Sequence, residues 1–191
     1  MRALAVVLGL VLCIGSAHAA LPIYDSPEGG FAFTPPAGWE TKKEADQQFP
    51  TVSGPADDLK APYVVIKEVR NAKDIFALGD ATVKQMLKSL SYQLSSRDAF
   101  QTADKAFGIK YVLTVTTTPT NGKPPEPYRQ AYYFVEGPPG IIYAFLATVP
   151  ETGWEKYNQP LDLMIRTYHL RPVVAAKANP APTAPIKSGK N

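Results

Sequence analysis

His169, between Tyr168 and Leu170, is the one histidine beyond the first twenty residues. An imidazole exchanges its proton near neutral pH, so it is the first place to look for a general base. A hydrolase built on it needs a nucleophilic serine and an acid brought alongside by the fold. No Gly-x-Ser-x-Gly elbow occurs in the chain. The simpler reading of His169 is a cation at the C-terminal end of a helix, where the dipole favours it. Asp57-Asp58, and Asp25 with Glu28, are the carboxylates a cation would seek. Neither place has the spaced acidic loop that calcium prefers, and the residues for a zinc cluster are too few. Gly29-Gly30 and Gly38 lack the Gly-x-Gly-x-x-Gly or Gly-Lys-Ser/Thr context that cradles phosphate, and read as turn glycines. The expectation is therefore a non-enzyme with no catalytic, cofactor-binding or metal-binding residues.

Aromatic side chains are the one surplus. Tyr111, Tyr128, Tyr132, Tyr133, Tyr143 and Phe145 crowd a short stretch. On adjacent strands they form cross-strand pairs that stabilise a sheet. If one side of that sheet is left partly open, the same residues become a partner surface, because tyrosine and tryptophan are enriched at binding hot spots.

These residues need elements to hold them. Phe31–Thr34 reads as a short strand stopped by Pro35-Pro36-Ala37-Gly38, with Trp39–Lys43 as its hairpin partner. Ala45–Pro62 is polar and irregular, with a short strand near Thr51-Val52. Tyr63–Val69 reads as a strand buried on both faces. Val83, Met86, Leu87, Leu90 and Leu94 recur at three and four, which predicts one helix face with Asp80 as N-cap. Gln93–Thr102 is a weak strand. Lys105–Thr118, Tyr128–Glu136 and Gly140–Val149 form an antiparallel meander, the last two joined through Gly137-Pro138-Pro139-Gly140. Trp154, Tyr157, Leu161, Met164, Ile165 and Tyr168 mark a second helix. Pro160 must either bend it or sit in the first turn of a restart capped by Asn158.

Met1-Arg2, the apolar run Ala3–Ile14 and the Ala17-His18-Ala19-Ala20 close predict a signal peptide over residues 1–20, cut after Ala19 or Ala20. The run is too short to span a bilayer, so no stable membrane insertion is expected after cleavage. Cys13 leaves with it, and the mature chain has no thiol. Residues 171–191 read as a disordered Ala/Pro/Lys tail. The whole chain of 191 residues carries 20 Lys and Arg against 17 Asp and Glu. Arg2, Arg171, Lys177, Lys187 and Lys190 lie at the two ends. Without those five the body from Leu21 to Leu170 has 15 bases against the same 17 acids. No basic face remains for nucleic acid.

Phe31-x-Phe33-x-x-Pro36-x-Gly38-Trp39 resembles the opening of PsbP-like domains, a strand followed by a Pro-x-Gly-Trp corner. The mid-chain helix, the aromatic meander and the closing Ile165-Arg166-Thr167-Tyr168 continue the resemblance over residues 21–170. It implies an α+β fold with a central antiparallel sheet sandwiched by helices (α/β/α). Relatives include an extrinsic photosystem II subunit, a nuclear import factor that binds a small GTPase, and exported bacterial proteins. Most bind other proteins and share no catalytic residues, so Gly38 and Trp39 carry over as structural residues only.

The function expected from all this is a non-catalytic, periplasmic or secreted module that binds another envelope protein. Residues 118–127 and the Gly29–Trp39 corner are the expected contacts. A small-molecule or lipid carrier is the alternative, and it requires an apolar cavity between the sheet and the second helix. A hydrolase using His169 is a third reading.

Overall fold

A computed structural model of the chain describes residues 23–27, 29–56, 61–117 and 126–172. The expected signal peptide, Glu28, Asp57-Asp58, residues 118–125 and the tail from residue 173 lie outside the described residues. In chain order the elements are β1 (Tyr24–Ser26), β2 (Phe31–Phe33), β3 (Glu40–Lys42), β4 (Thr51–Ser53), β5 (Tyr63–Arg70), α1 (Ile75–Met86), β6 (Tyr92–Gln101), β7 (Phe107–Val115), β8 (Tyr128–Glu136), β9 (Ile141–Pro150), α2 (Trp154–Arg166) and β10 (His169–Leu170). They form a seven-stranded sheet, ordered β3-β4-β5-β9-β8-β7-β6, and a three-stranded one, ordered β1-β2-β10. All strand pairs are antiparallel. This is an α+β fold.

The meander from β7 to β9 forms as its β-branched and aromatic residues predict, and β6 extends it. Gly140, at φ +78°, lets the chain reverse between β8 and β9. Strand alternation then splits the core in two. Val112, Ala131, Tyr133, Val135, Tyr143 and Phe145 pack with Phe31, Phe33 and the α2 residues Trp154, Tyr157, Leu161, Met164 and Ile165. The intervening positions Ile109, Tyr111, Leu113, Tyr132, Phe134 and Ile142 pack with Ile75 and Val83 of α1. Gly79 of α1 makes room for this second cluster, since a Cβ there would lie 2.6 Å from the Tyr111 ring.

Four expectations need correction. The first helix begins at Ile75, not after Asp80, and its N-cap is Asp74, whose carboxylate accepts from the Ala77 N–H at 2.7 Å. It ends at Met86; Leu87 and Leu90 occupy a turn and Leu94 lies in β6, so the apolar spacing there is not one helix face. Trp39–Lys43 is not the partner of β2: β3 pairs with β4 in the large sheet, while β2 pairs with β1 and β10. On β5, Val64 and Ile66 are buried but Val65 is half-buried and Lys67 exposed, so burial alternates. Gln93–Thr102 is no weak strand, because β6 runs ten residues beside β7 with a bulge between Leu94 and Ser96.

At Pro160 α2 runs on from Trp154 to Arg166 in one piece, and Asn158 is an interior residue rather than a cap. The corner after β2 closes by a Trp39 N–H bond to the Pro36 carbonyl at 3.1 Å, with Gly38 at φ +78°. Trp39 stands edge-on to Tyr157 at 5.8 Å between centroids. This corner therefore fastens the loop to α2, in keeping with a structural role for Trp39.

Candidate functional site

His169 lies in β10, beyond the end of α2, where it pairs with Ala32 of β2. The helix-end placement is thus displaced by three residues, because the chain leaves α2 at Thr167 to add a strand to the small sheet. The ring Nδ1 stands 3.0 Å from the Thr167 carbonyl oxygen. That neighbour is a backbone group, neither a serine nor a carboxylate.

The space between the large sheet and α2 is packed with Tyr133, Trp154, Tyr157, Leu161 and Met164. At its margin lies a cleft of about 230 Å³, lined by Asp98, Ala99, Phe100, Lys110, Tyr133, Asp162 and Arg166. Its size matches the carrier expectation but its lining is polar and charged. On the cleft floor Lys110 is buried. Its ammonium donates to Asn158 Oδ1 at 2.8 Å and to Asp162 Oδ1 at 2.7 Å. The Tyr133 hydroxyl donates to the same Asp162 oxygen at 2.8 Å. The ammonium also lies 5.3 Å from the Tyr133 ring centroid and 5.7 Å from that of Trp154. Burial, and then the Asp162 charge, push the Tyr133 hydroxyl well above its ordinary pKa. The arrangement is a satisfied ion pair that pins α2 to β7 and β8. A charged Lys110 inside the apolar run Phe107–Val115 is the sequence signal that marks it.

The opposite side of the sheet is different. Residues directly across from one another on neighbouring strands share a face. Tyr63 faces Thr148 and Val65 faces Leu146 across β5 and β9; Gln130 faces Thr148 and Tyr132 faces Leu146 across β8 and β9. The 12 residues of α1 extend about 18 Å and cover the β7 and β8 part of this face. On the β5 and β9 part of this face Ile142 is buried and Ala144 and Leu146 lie partly against the α1-side cluster, while Val65 and Thr148 are half-exposed; Val64, Ile66, Phe145 and Ala147 on the reverse side are all buried. Tyr63, at 41% exposure, and half-buried Tyr128 stand at one end of this strip. Burial raises the Tyr128 hydroxyl, with smaller contributions from Tyr92 and Tyr63 nearby. Burial likewise pushes Tyr132 up to about 12. Tyr128 and Tyr132 therefore stay neutral at physiological pH, and the rings along this strip present an apolar body with a polar tip.

The aromatic surplus is thus divided. Tyr111, Tyr132, Tyr133, Tyr143 and Phe145 are core, and Tyr63 and Tyr128 border an open face. Tyr63 and Val65 are site residues that sequence patterning missed, because the length and placement of α1 decide which sheet positions stay uncovered. Among the described residues no group of three His, Cys, Asp or Glu is placed to hold a metal ion, and no helix is long and apolar enough to cross a membrane.

A seven-stranded antiparallel sheet with a small accessory sheet and two helices defines the class. The chain belongs to the PsbP family, whose model matches residues 19–170. No curated relative matches the sequence. Among solved structures, the chain is similar to cyanobacterial PsbP (CyanoP) from Synechocystis, at 17% identity and a TM-score of 0.55, over 83% of this chain and 96% of that one. It is also similar to LpqN of Mycobacterium tuberculosis, described as involved in cell envelope biogenesis, at 15% identity and a TM-score of 0.54, over 82% and 88%. The Ran-binding protein Mog1p of Saccharomyces cerevisiae aligns at 9% identity and a TM-score of 0.53, over 78% and 94%. At these identities the likeness is one of fold.

Proposed function

We propose that this chain is an exported, non-catalytic module that binds another protein of the cell envelope through the half-open face of its large sheet. The observation that carries the reading is the contrast across β5 and β9, buried on one side and half-exposed at Val65 and Thr148 on the other. The layered α/β/α reading belongs with it: the two core clusters, one containing α2 residues and the other α1 residues, take alternate strand positions and so support a helix on each side of the sheet. Export is supported by the signal-like residues 1–20. A role without turnover is in keeping with the engagement of His169 by a backbone carbonyl. Two fold relatives are named for Ran binding and for envelope biogenesis, which is in keeping with a protein partner.

The test is capture from an envelope extract with the wild-type chain and with Tyr63→Ser/Val65→Thr. The reading expects a captured protein that the double variant loses while its melting temperature and far-UV spectrum hold. Equal capture by both chains contradicts it.

A further inference from the structure

The apolar spacing Val83, Met86, Leu87, Leu90, Leu94 that imitates a helix face is only partly used by the fold. Val83 is buried on the inner face of α1. The last three leucines instead surround a turn and are exposed at 40%, 101% and 44%. The turn is tightly built. Leu87 N–H donates to the Val83 carbonyl at 2.9 Å, Ser89 N–H to Met86 at 2.9 Å, and Tyr92 N–H to Ser89 at 3.2 Å. Leu90 is therefore held fully in solvent by a hydrogen-bonded turn.

Along the sequence, between Asp80 and Asp98, the charges next to the turn have one sign, and Glu126 is an acid near it through the Thr116–Ser91 and Glu126–Thr117 bonds. From Ala81 to Arg97 there is no acidic residue, and Lys84, Lys88 and Arg97 are basic. Arg97 is paired with Asp80, whereas Lys84 and Lys88 have no ion pair among the described residues. Half-buried Tyr92 follows directly. Exposed leucines on a hydrogen-bonded turn, two lysines without an ion pair among the described residues and an adjacent tyrosine match a bilayer interface, where apolar groups enter the acyl boundary and lysines meet acidic headgroups. A folded protein partner needs a pocket matched to an isolated leucine, while a bilayer deforms around it.

We infer that the α1–β6 turn, with Leu87, Leu90 and Leu94 flanked by Lys84 and Lys88, docks on a membrane surface containing acidic phospholipid. The contact is reversible and peripheral, since two lysines and three leucines give a modest sum. It uses different residues from the half-open sheet face and stands or falls separately.

The test places an environment-sensitive fluorophore at Leu90→Cys in the chain as the producing cell exports it, with Cys13→Ser in the leader so that no second thiol is labelled. A control carries the label at Lys42→Cys in β3, the opposite edge of the large sheet. Vesicles containing phosphatidylglycerol are expected to shift the emission at position 90 to the blue and protect it from an aqueous quencher. Position 42 and vesicles of phosphatidylcholine alone give neither effect. Lys84→Ala/Lys88→Ala weakens the apparent binding at position 90 by about 25-fold, at roughly fivefold per lysine. Sedimentation of the unlabelled chain and of Leu87→Ser/Leu90→Ser with the same vesicles checks that the dye is not the anchor, and the leucine variant binds less. No shift at position 90, an equal shift at position 42, or indifference to loss of the lysines or leucines overturns the inference.

Discussion

Asp162 receives two donors on one oxygen, the Lys110 ammonium and the Tyr133 hydroxyl. Removing the carboxylate is costlier than removing the Lys110 charge, because a buried ammonium left with only the neutral Asn158 oxygen and the Tyr133 and Trp154 rings loses its countercharge and keeps most of its desolvation penalty. The side chains of Lys110 and Asp162 are 11% and 34% exposed, so solvent softens the effect. Asp162→Ala is expected to lower stability by about 2–3 kcal/mol, whereas Lys110→Met, which keeps the stem and drops the charge, costs less than half as much. Urea unfolding of both variants checks the ordering; an equal loss contradicts it. At this scale the sequence was informative about chemistry that is hard to support and less so about placement. The missing serine elbow was legible along the chain. That Lys110 meets Asn158 and Asp162, 48 and 52 residues away, required the fold.

Local signals competed at the level of elements. The five-residue apolar spacing from Val83 pointed to Asp80 as the cap, later in the chain than the true one. The structure selects Asp74, while Asp80 turns outward to pair with Arg97 and accept from Tyr111. Asp74→Ala is expected to cost about 1 kcal/mol, the usual worth of a helix N-cap, read as a lower melting temperature with unchanged sheet signal. No loss on substitution contradicts the assigned helix start. The meander, its Gly-Pro-Pro-Gly reversal and the stripe of α2 were legible because each follows from local periodicity and turn chemistry. The small sheet was not, because β1 and β10 come from opposite ends of the described chain and meet only on β2. Three-residue and two-residue strands carry almost no pattern of their own.

For the molecule as a whole, the same burial that holds the fold sets its response to alkali. Burial pushes the hydroxyls of Tyr111, Tyr132 and Tyr143 up to about 12, and raises those of Tyr133 and Tyr168 well above their ordinary value. The ordinary tyrosine value is near 10. The folded state therefore favours the protonated form. That contribution is whole below pH 10 and drains as the pH rises through about 12. The chain is expected to unfold cooperatively above pH 10, with tyrosinate absorbance and loss of sheet signal rising together. Tyrosinate forming at pH 10 for all ten tyrosines in a still-folded chain contradicts this account of the core.

The central claim is that the half-exposed face of β5 and β9 meets a protein partner. Photo-crosslinking in the producing cell tests it most directly, with a photoreactive amino acid at Tyr63 or Val65 and, for comparison, at Arg166 beside the polar cleft. The account predicts a discrete protein adduct from positions 63 and 65 and none from 166. Adducts from 166 alone, or from none of the three positions, would contradict it.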